Sequence, residues 1–242
     1  MKSAKYLVSL LLLSLGLNTA YADTFAYHVG SGVWNAEPSG DFRYQGDTID
    51  LNSDLHLKEE QQTYTYAYVE HPFPVIPNIK ISQSTMAFEG AGPFTKSFGG
   101  YTYAGNVTTK MVLDHSEVTL YYQLLDNIIN IDLGLTAKKF DGKVEVTDGT
   151  NIRTTNIDQT IPMIYGAAAI ELGNFAISVE ANYLELDNNL ISDMTTKIAY
   201  TTAYFIGVEA GIRTVQVTLD DLDSNYSSME YTGAFANLYA HF

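Results

Sequence analysis

Apolar and polar residues alternate with a period of two along most of this chain, which predicts antiparallel β-strands with one apolar face. The clearest alternation spans residues 128–140, where Ile129, Ile131 and Leu133 alternate with Asn130 and Asp132. Candidate strands occupy residues 24–34, 62–71, 78–88, a stretch ending at 118–125, 128–140, 161–170, 175–183, 197–205, 208–213 and 234–242. About ten strands with one apolar face predict a closed antiparallel transmembrane β-barrel. Eight strands remain the alternative, because the boundaries near residue 205 and within 105–115 are ambiguous.

The connections between these strands alternate in length. Short ones lie at residues 72–77, 126–127, 173–174 and 206–207, and long polar ones at 35–60, 90–106, 148–159, 187–196 and 220–229. This alternation predicts short periplasmic turns at one end and long extracellular loops at the other. An even strand number follows if both chain ends lie on the periplasmic side.

The two ends of the chain predict where the protein goes. Residues 1–22 contain Lys2 and Lys5, an apolar run from residue 7 to 17 and the small-residue pattern Ala20-Tyr21-Ala22, as in a cleaved signal peptide. Residues 23–242 would then form one outer-membrane barrel domain. In the last strand Ala234, Ala236, Leu238, Ala240 and Phe242 occupy alternate positions, which predicts a lipid-facing surface. We interpret Leu238, Ala240 and Phe242 as the membrane insertion signal.

Composition narrows the class of protein. Beyond the first segment, no apolar run approaches the roughly 20 residues of a membrane-spanning helix. The 18 tyrosines, 11 phenylalanines and 18 glycines fit a barrel better than a helical membrane protein, although a secreted β-sandwich competes. The net charge of −15 argues against a nucleic-acid partner. Because the chain contains no cysteine, disulfides, thiolate metal sites and a lipidated cysteine are excluded.

Several short motifs, taken in order, resemble a family of small bacterial outer-membrane β-barrel proteins of about this length that lack a settled activity. They are Gly30 and Gly32 before Trp34, a turn at residues 38–41, Ile49-Asp50-Leu51 with Asp54-Leu55, the proline-rich turn at 71–79, Leu120-Tyr121-Tyr122, Gly211-Ile212-Arg213 and Phe242. The sequence departs from the usual pattern at Ala240, where such strands carry an aromatic residue. The resemblance implies a Gram-negative outer-membrane barrel and supplies no catalytic residues. Its expected surroundings are outer-membrane lipid, lipopolysaccharide and the barrel-assembly machinery, and we expect a monomer.

Charged residues on the predicted inner faces form the main candidate site. Arg213 is predicted to meet Glu209, Glu180 and Asp132 in the lumen, with Lys138 and Lys80 farther along. Side chains largely fill a barrel of eight to ten strands, so this network would plug the lumen or gate a narrow path.

Other candidate chemistry is weaker. The run Asp114-His115-Ser116-Glu117 supplies an acid, an imidazole and a hydroxyl, but His115 and Ser116 should point to opposite faces of a strand. Asp220, Asp221 and Asp223 have no predicted histidine beside them. Asp50, Asn52 and Asp54 resemble the start of a calcium loop, but the pattern then fails. The same segment is also predicted to be a cap, with Leu51, Leu55 and Leu57 folded onto the barrel mouth. We therefore predict no metal, no cofactor and no catalytic residue.

Three functions are compatible with these sequence features. The first is a non-enzymatic structural or envelope role, or a narrow passive channel for small polar solutes. The second is a membrane-embedded hydrolase acting on lipid or peptide at the outer rim. The third is a surface adhesion or binding barrel that uses the long acidic loops.

Overall fold

A computed structural model describes residues 25–222 and 225–242 of the chain. The predicted signal peptide, residues 1–22, lies outside them. The strands, in chain order, are β1 (Ala26–Arg43), β2 (Thr48–Asp50), β3 (Glu60–Glu70), β4 (Asn78–Ser84), β5 (Ala87–Phe94), β6 (Ser97–Phe98), β7 (Tyr101–Thr102), β8 (Gly105–Leu125), β9 (Ile129–Thr147), β10 (Ile152–Leu172), β11 (Phe175–Leu186), β12 (Asn189–Thr201), β13 (Ile206–Leu222) and β14 (Asn225–His241). Within the described segments, no helix is long and apolar enough to cross a membrane.

Ten antiparallel barrel strands close on themselves. β4 and β5 together make one barrel strand, because both pair with β8 on either side of an interruption at Thr85 and Met86. β14 pairs with β1 from His28↔His241 to Arg43↔Tyr226, and this pairing joins the first and last strands. Closure satisfies the backbone groups that lipid cannot hydrogen-bond. The ten-stranded prediction is confirmed, and the eight-stranded alternative is wrong.

The two ends of the barrel differ. One end, here called the turn end, holds Phe25, Phe242 and the connections at residues 71–77, 126–128, 173–174 and 202–205. The opposite end, here called the loop end, holds two long connections, residues 44–59 and 95–104, which contain β2 and the β6–β7 hairpin. We call residues 44–59 the cap loop and residues 95–104 the second loop.

An apolar band surrounds the half of the barrel nearest the turn end. Outward side chains there include Leu133 and Leu135 on β9, Ile164 on β10 and Leu238 on β14, each at least half exposed. Exposed aromatic residues border the band at the turn end: Phe25, Tyr27, Phe73, Phe175, Tyr200, Tyr204, Phe205 and Phe242. On β9 the outward face becomes charged at Lys139 and Asp141. A lipid-facing band with an aromatic girdle is the exterior of a transmembrane barrel.

Three of the predicted long loops are instead strands. Residues 148–151 and 187–188 form short connections at the loop end, and residues 152–159 and 189–196 belong to β10 and β12. In the third predicted loop, residues 220–222 belong to β13 and residues 225–229 to β14. The strands continue well beyond the apolar band, where an outward face meets water and can be polar. The outward residues of these strand extensions are polar, as loop residues usually are, and the sequence pattern does not distinguish the two. The predicted turn at residues 38–41 is also wrong, because β1 continues through it with Gly40 at φ +97°.

Candidate functional site

The lumen contains the candidate site, and it is organised in three levels. From the loop end to the turn end these are an apolar filling, here called the loop-end core, a level of ion pairs, here called the charge layer, and an open cavity, here called the vestibule. The alternation of each strand produces this arrangement, because every second side chain points inward.

The charge layer consists of Arg213, Asp193, Lys138 and Glu117. Arg213 donates to both carboxylate oxygens of Asp193, with Nε 2.9 Å from Oδ1 and Nη2 2.6 Å from Oδ2. Lys138 Nζ lies 2.5 Å from Asp193 Oδ2 and 2.7 Å from Glu117 Oε1. All four residues are buried. Two cations therefore balance two anions away from water, which is the condition under which buried charges are tolerated.

Neutral groups complete this layer. Arg213 Nη1 donates to Ser84 Oγ at 3.0 Å, and its guanidinium carbon lies 4.9 Å from the ring centroids of both Trp34 and Tyr64. Ser82 Oγ donates to Glu117 Oε2 at 3.0 Å. These contacts place the guanidinium group near two aromatic rings, a position that favours arginine over lysine.

Both ring nitrogens of His115 have hydrogen-bond partners at the charge layer, so this imidazole is not free to act as a catalytic base. Its Nδ1 lies 3.1 Å from the carbonyl oxygen of Leu113, and its Nε2 lies 3.0 Å from Arg213 Nη2. Because an arginine only donates, Nε2 must be the acceptor and Nδ1 must carry the proton. Ser116 is exposed on the outer face. The prediction that His115 and Ser116 face opposite ways is confirmed, so this pair provides no nucleophile and base.

His115, Glu117 and Asp193 also place ligand-type atoms within 4.8 Å of one another. Lys138 and Arg213 already neutralise these carboxylates at hydrogen-bond distance. A divalent cation there would be repelled by two fixed positive charges. The cluster is therefore an ion-pair layer and not a metal centre.

The loop-end core fills the lumen above the charge layer. The cap loop contributes Ile49, Leu51, Leu55 and Leu57, each at most 2% exposed. The second loop and its flanks add Phe94, Phe98 and Tyr103, and the barrel strands add Trp34, Phe88, Met111 and Tyr231, among others. The predicted cap with Leu51, Leu55 and Leu57 folded onto the barrel mouth is confirmed.

Two glycines allow the cap loop to lie directly against β5. A Cβ at Gly90 would lie 2.1 Å from the carbonyl oxygen of Leu55, and one at Gly92 would lie 2.2 Å from the His56 ring. No side chain fits in so small a space. His56 Nε2 lies 3.1 Å from the Pro93 carbonyl oxygen. The cap loop therefore packs against β5 at a distance that only glycine allows at these two positions.

The vestibule opens at the turn end and has a volume of about 680 Å³. Tyrosines form much of its wall: Tyr64, Tyr66, Tyr68, Tyr121, Tyr165 and Tyr239. Trp34 and Arg213 also line it, at the boundary with the layers above. His28 stacks between Tyr68 and His241, with ring centroids 4.0 and 3.8 Å apart.

The structure places the five predicted network residues around the lumen but divides them among separate groups. Arg213 and Lys138 share the charge layer, and their carboxylate partner is Asp193 instead of Glu209, Glu180 or Asp132. Glu180 pairs with Lys80, and Lys197 Nζ lies 2.6 Å from Glu209 Oε2. Asp132 pairs with no cation among the described residues, and its Oδ1 is buried without a hydrogen-bond partner. A single network around Arg213 is therefore wrong.

Sequence reasoning misses Asp193 because it interprets residues 187–196 as a loop, and it misses Lys197 as the partner of Glu209 although Lys197 begins the predicted strand at 197–205. The signal was nevertheless present. Ile191, Asp193, Thr195 and Lys197 recur at every second position opposite Met194 and Ile198, a period of two that continues the strand.

The remaining candidates have structural roles or are not described. Asp50 Oδ1 accepts the backbone N–H groups of Asn52 and Ser53, and Lys96 Nζ lies 2.6 Å from Asp54 Oδ2. These carboxylates are therefore occupied by a turn and an ion pair. Side chains of residues 220–225 lie outside the described part, so the hypothesis about Asp220, Asp221 and Asp223 stays a prediction. Leu238 and Phe242 face outward and are each 65% exposed, and Ala240 is half-buried.

No known protein family matches the sequence, and no curated protein does. Several solved barrels resemble the fold at low similarity. Ail, the attachment invasion locus protein of Yersinia pestis, has 10% identity, covers 90% of this chain and 99% of its own, and gives a TM-score of 0.38. Neisserial surface protein A has 9% identity, covers 90% of this chain and 99% of its own, and gives a TM-score of 0.37. The transport unit of the autotransporter AIDA-I from Escherichia coli has 10% identity, covers 98% of this chain and 98% of its own, and gives a TM-score of 0.40.

These similarities are too distant to assign a function. The chain's own geometry establishes its class: the strands are antiparallel and even in number, the sheet is closed, and the exterior carries an apolar band with an aromatic girdle. This is the architecture of transmembrane β-barrels of the outer-membrane type.

Proposed function

We propose that this chain is a closed, non-enzymatic scaffold barrel of the bacterial outer membrane and not a passage for solutes. One observation carries the proposal: the loop-end core and the charge layer occupy the lumen in succession above the vestibule. A solute would have to displace packed apolar side chains and then separate buried ion pairs. Both steps are costly.

The proposed setting follows from the exterior and the two chain ends. Residues 1–22 are cleaved on export, and the strand that ends with Leu238, Ala240 and Phe242 is presented to the barrel-assembly machinery. The apolar band contacts outer-membrane lipid, and the projecting strands lie among lipopolysaccharide. We propose a monomer, which is supported by the pairing of β14 with β1 of the same chain, because the sheet then closes without a strand from a second copy.

Planar-bilayer conductance tests the closed state. We expect the refolded wild-type protein to insert without discrete current steps. The double variant Leu55→Asp with Arg213→Ala removes one group from each closing level and should conduct. A matched pair, Thr108→Asp with Lys139→Ala, changes only outward residues and should stay silent. Discrete openings in the wild type would replace the scaffold proposal with the narrow channel.

A further inference from the structure

We propose that the vestibule is a binding site for an organic ammonium ion, such as an alkyl diamine, which enters from the turn end. The cavity is separate from the closed lumen above it, so the inference goes beyond the scaffold proposal. A volume of about 680 Å³ lies in the usual range of small-molecule sites.

The chain's own lysines show which chemistry this cavity accommodates. Lys80 pairs with Glu180, and its Nζ lies 5.8 and 5.9 Å from the ring centroids of Tyr66 and Tyr165. Lys197 pairs with Glu209, and its Nζ lies 5.5 Å from the Tyr66 ring. In both cases an alkyl ammonium group has a carboxylate and a tyrosine face as neighbours. These distances are within the range of cation–π attraction.

A second set of carboxylates in the same wall lacks a cation. The vestibule is lined by six carboxylates: Glu70, Asp126, Asp132, Glu171, Glu180 and Glu209. Its three cations are already used, because Lys80 and Lys197 pair with Glu180 and Glu209, and Arg213 pairs with Asp193. Within the described residues, no ion pair involves the other four carboxylates.

Neutral groups satisfy this set only in part. Tyr121 donates its hydroxyl to Glu70 Oε1 at 2.9 Å, and Asn130 Nδ2 donates to Glu171 Oε1 at 2.8 Å. Asp132 Oδ1 is buried and has no hydrogen-bond partner among the described residues. The Asp132 side chain is only partly buried and lines the vestibule, so an ammonium group in the cavity could supply the positive charge that this carboxylate lacks.

Aromatic rings beside these carboxylates favour an organic cation over a hydrated metal ion. The rings of Tyr121 and Tyr165 lie 5.6 Å apart, and Tyr121 itself bonds to Glu70. An alkyl chain can pack on these faces while its ammonium group reaches the carboxylates. A hydrated divalent ion gains nothing from the ring faces beyond its charge.

Calorimetric titration of the protein in phosphatidylcholine nanodiscs, with 1,8-diaminooctane as the probe, tests the site. Both ends of the barrel are accessible there, and the lipid carries no net charge. The neutral analogue 1,8-octanediol and MgCl₂ serve as comparison ligands. Asp132→Asn should raise the dissociation constant of the diamine about tenfold, as expected for losing one charged hydrogen bond. Glu89→Gln removes an equal charge on β5, far from the vestibule, and should leave it unchanged.

Saturable diamine binding that Asp132→Asn weakens and Glu89→Gln preserves supports the proposal. Circular dichroism melting of Asp132→Asn shows whether the variant is folded, and Glu70→Gln provides a second variant if it is not. The proposal is overturned if the diamine does not bind, if the diol or Mg²⁺ binds equally well, or if the control variant weakens binding as much. None of these results bears on conductance, so failure here leaves the scaffold proposal standing.

Discussion

Arg213 uses its Nε and both of its terminal nitrogens within the lumen. It bonds to both oxygens of Asp193, to Ser84 and to His115, and its guanidinium carbon lies 4.9 Å from the centroids of two aromatic rings. A truncated side chain would leave Asp193 with Lys138 alone and would open space beside Trp34. The residue is therefore the centre of the charge layer.

Arg213→Ala is expected to lower the free energy of unfolding by about 3–5 kcal/mol, the usual cost of breaking a buried ion pair. Urea unfolding in lipid vesicles measures it. Lys139→Ala removes an exposed ion pair with Asp158 and should cost under about 1 kcal/mol. Equal losses in the two variants would contradict the assignment of Arg213 to a buried layer.

A second residue-scale prediction concerns pH. The backbone N–H groups of Ser53, first, and of Asn52 hold the pKa of Asp50 below its ordinary value of 3.8. A depressed pKa contributes stability above the unfolded value, and that contribution is lost as pH falls through the folded value. Pepsin cleavage of the cap loop should therefore accelerate as pH falls below about 3.8.

Asp50→Asn provides the control for this prediction, because it cannot titrate. The variant should be cleaved more readily near pH 4.5 and should show a weaker dependence on pH. Identical pH profiles for the wild type and Asp50→Asn would show that Asp50 does not control the loop.

At the scale of elements, the cap loop is held by leucines whose positions match the inner mouth of the barrel. Leu55→Ala is expected to cost about 2–5 kcal/mol, since it leaves a cavity in a fully buried cluster. Ile152→Ala, at an outward position that is 57% exposed, should stay within about 0.5 kcal/mol. Thermal or urea unfolding compares the two, and a small loss at Leu55 would mean that the cap is not packed.

Sequence reasoning succeeded for elements wherever lipid imposed strict alternation. The alternation predicts the strand at residues 128–140 and the last strand in this way, since outward positions within the membrane must be apolar. It failed where strands leave the band, as at residues 152–159. There the outward face meets water, so Thr154, Asn156 and Asp158 resemble loop residues although they pair with β9.

The candidate site, too, could be predicted only in part from the sequence. Inward charges on β9, β11 and β13 were visible as polar positions opposite an apolar face. Their partners were not, because pairing across the lumen depends on register and on which strands face one another. Lys138 and Asp193 are 55 residues apart in sequence and 2.5 Å apart in space. Only the closed barrel shows this contact.

At the scale of the whole molecule, the barrel is asymmetric along its axis. Apolar packing closes the loop end, ion pairs cross the middle, and tyrosines and carboxylates line an open cavity at the turn end. Substances at the turn end can enter the vestibule, whereas those at the loop end meet a packed surface. The lumen is therefore closed between the two sides of the membrane.

Reaction of single introduced cysteines with a charged, membrane-impermeant thiol reagent tests this closure, because the chain has no cysteine of its own. Thr195→Cys places the thiol on the vestibule wall, and Thr108→Cys places it on the exposed outer face near the loop end. With reagent only on the side of the loops, in vesicles, a closed lumen predicts rapid labelling at 108 and none at 195. Labelling of 195 from that side at a similar rate would show an open lumen and contradict the closed barrel.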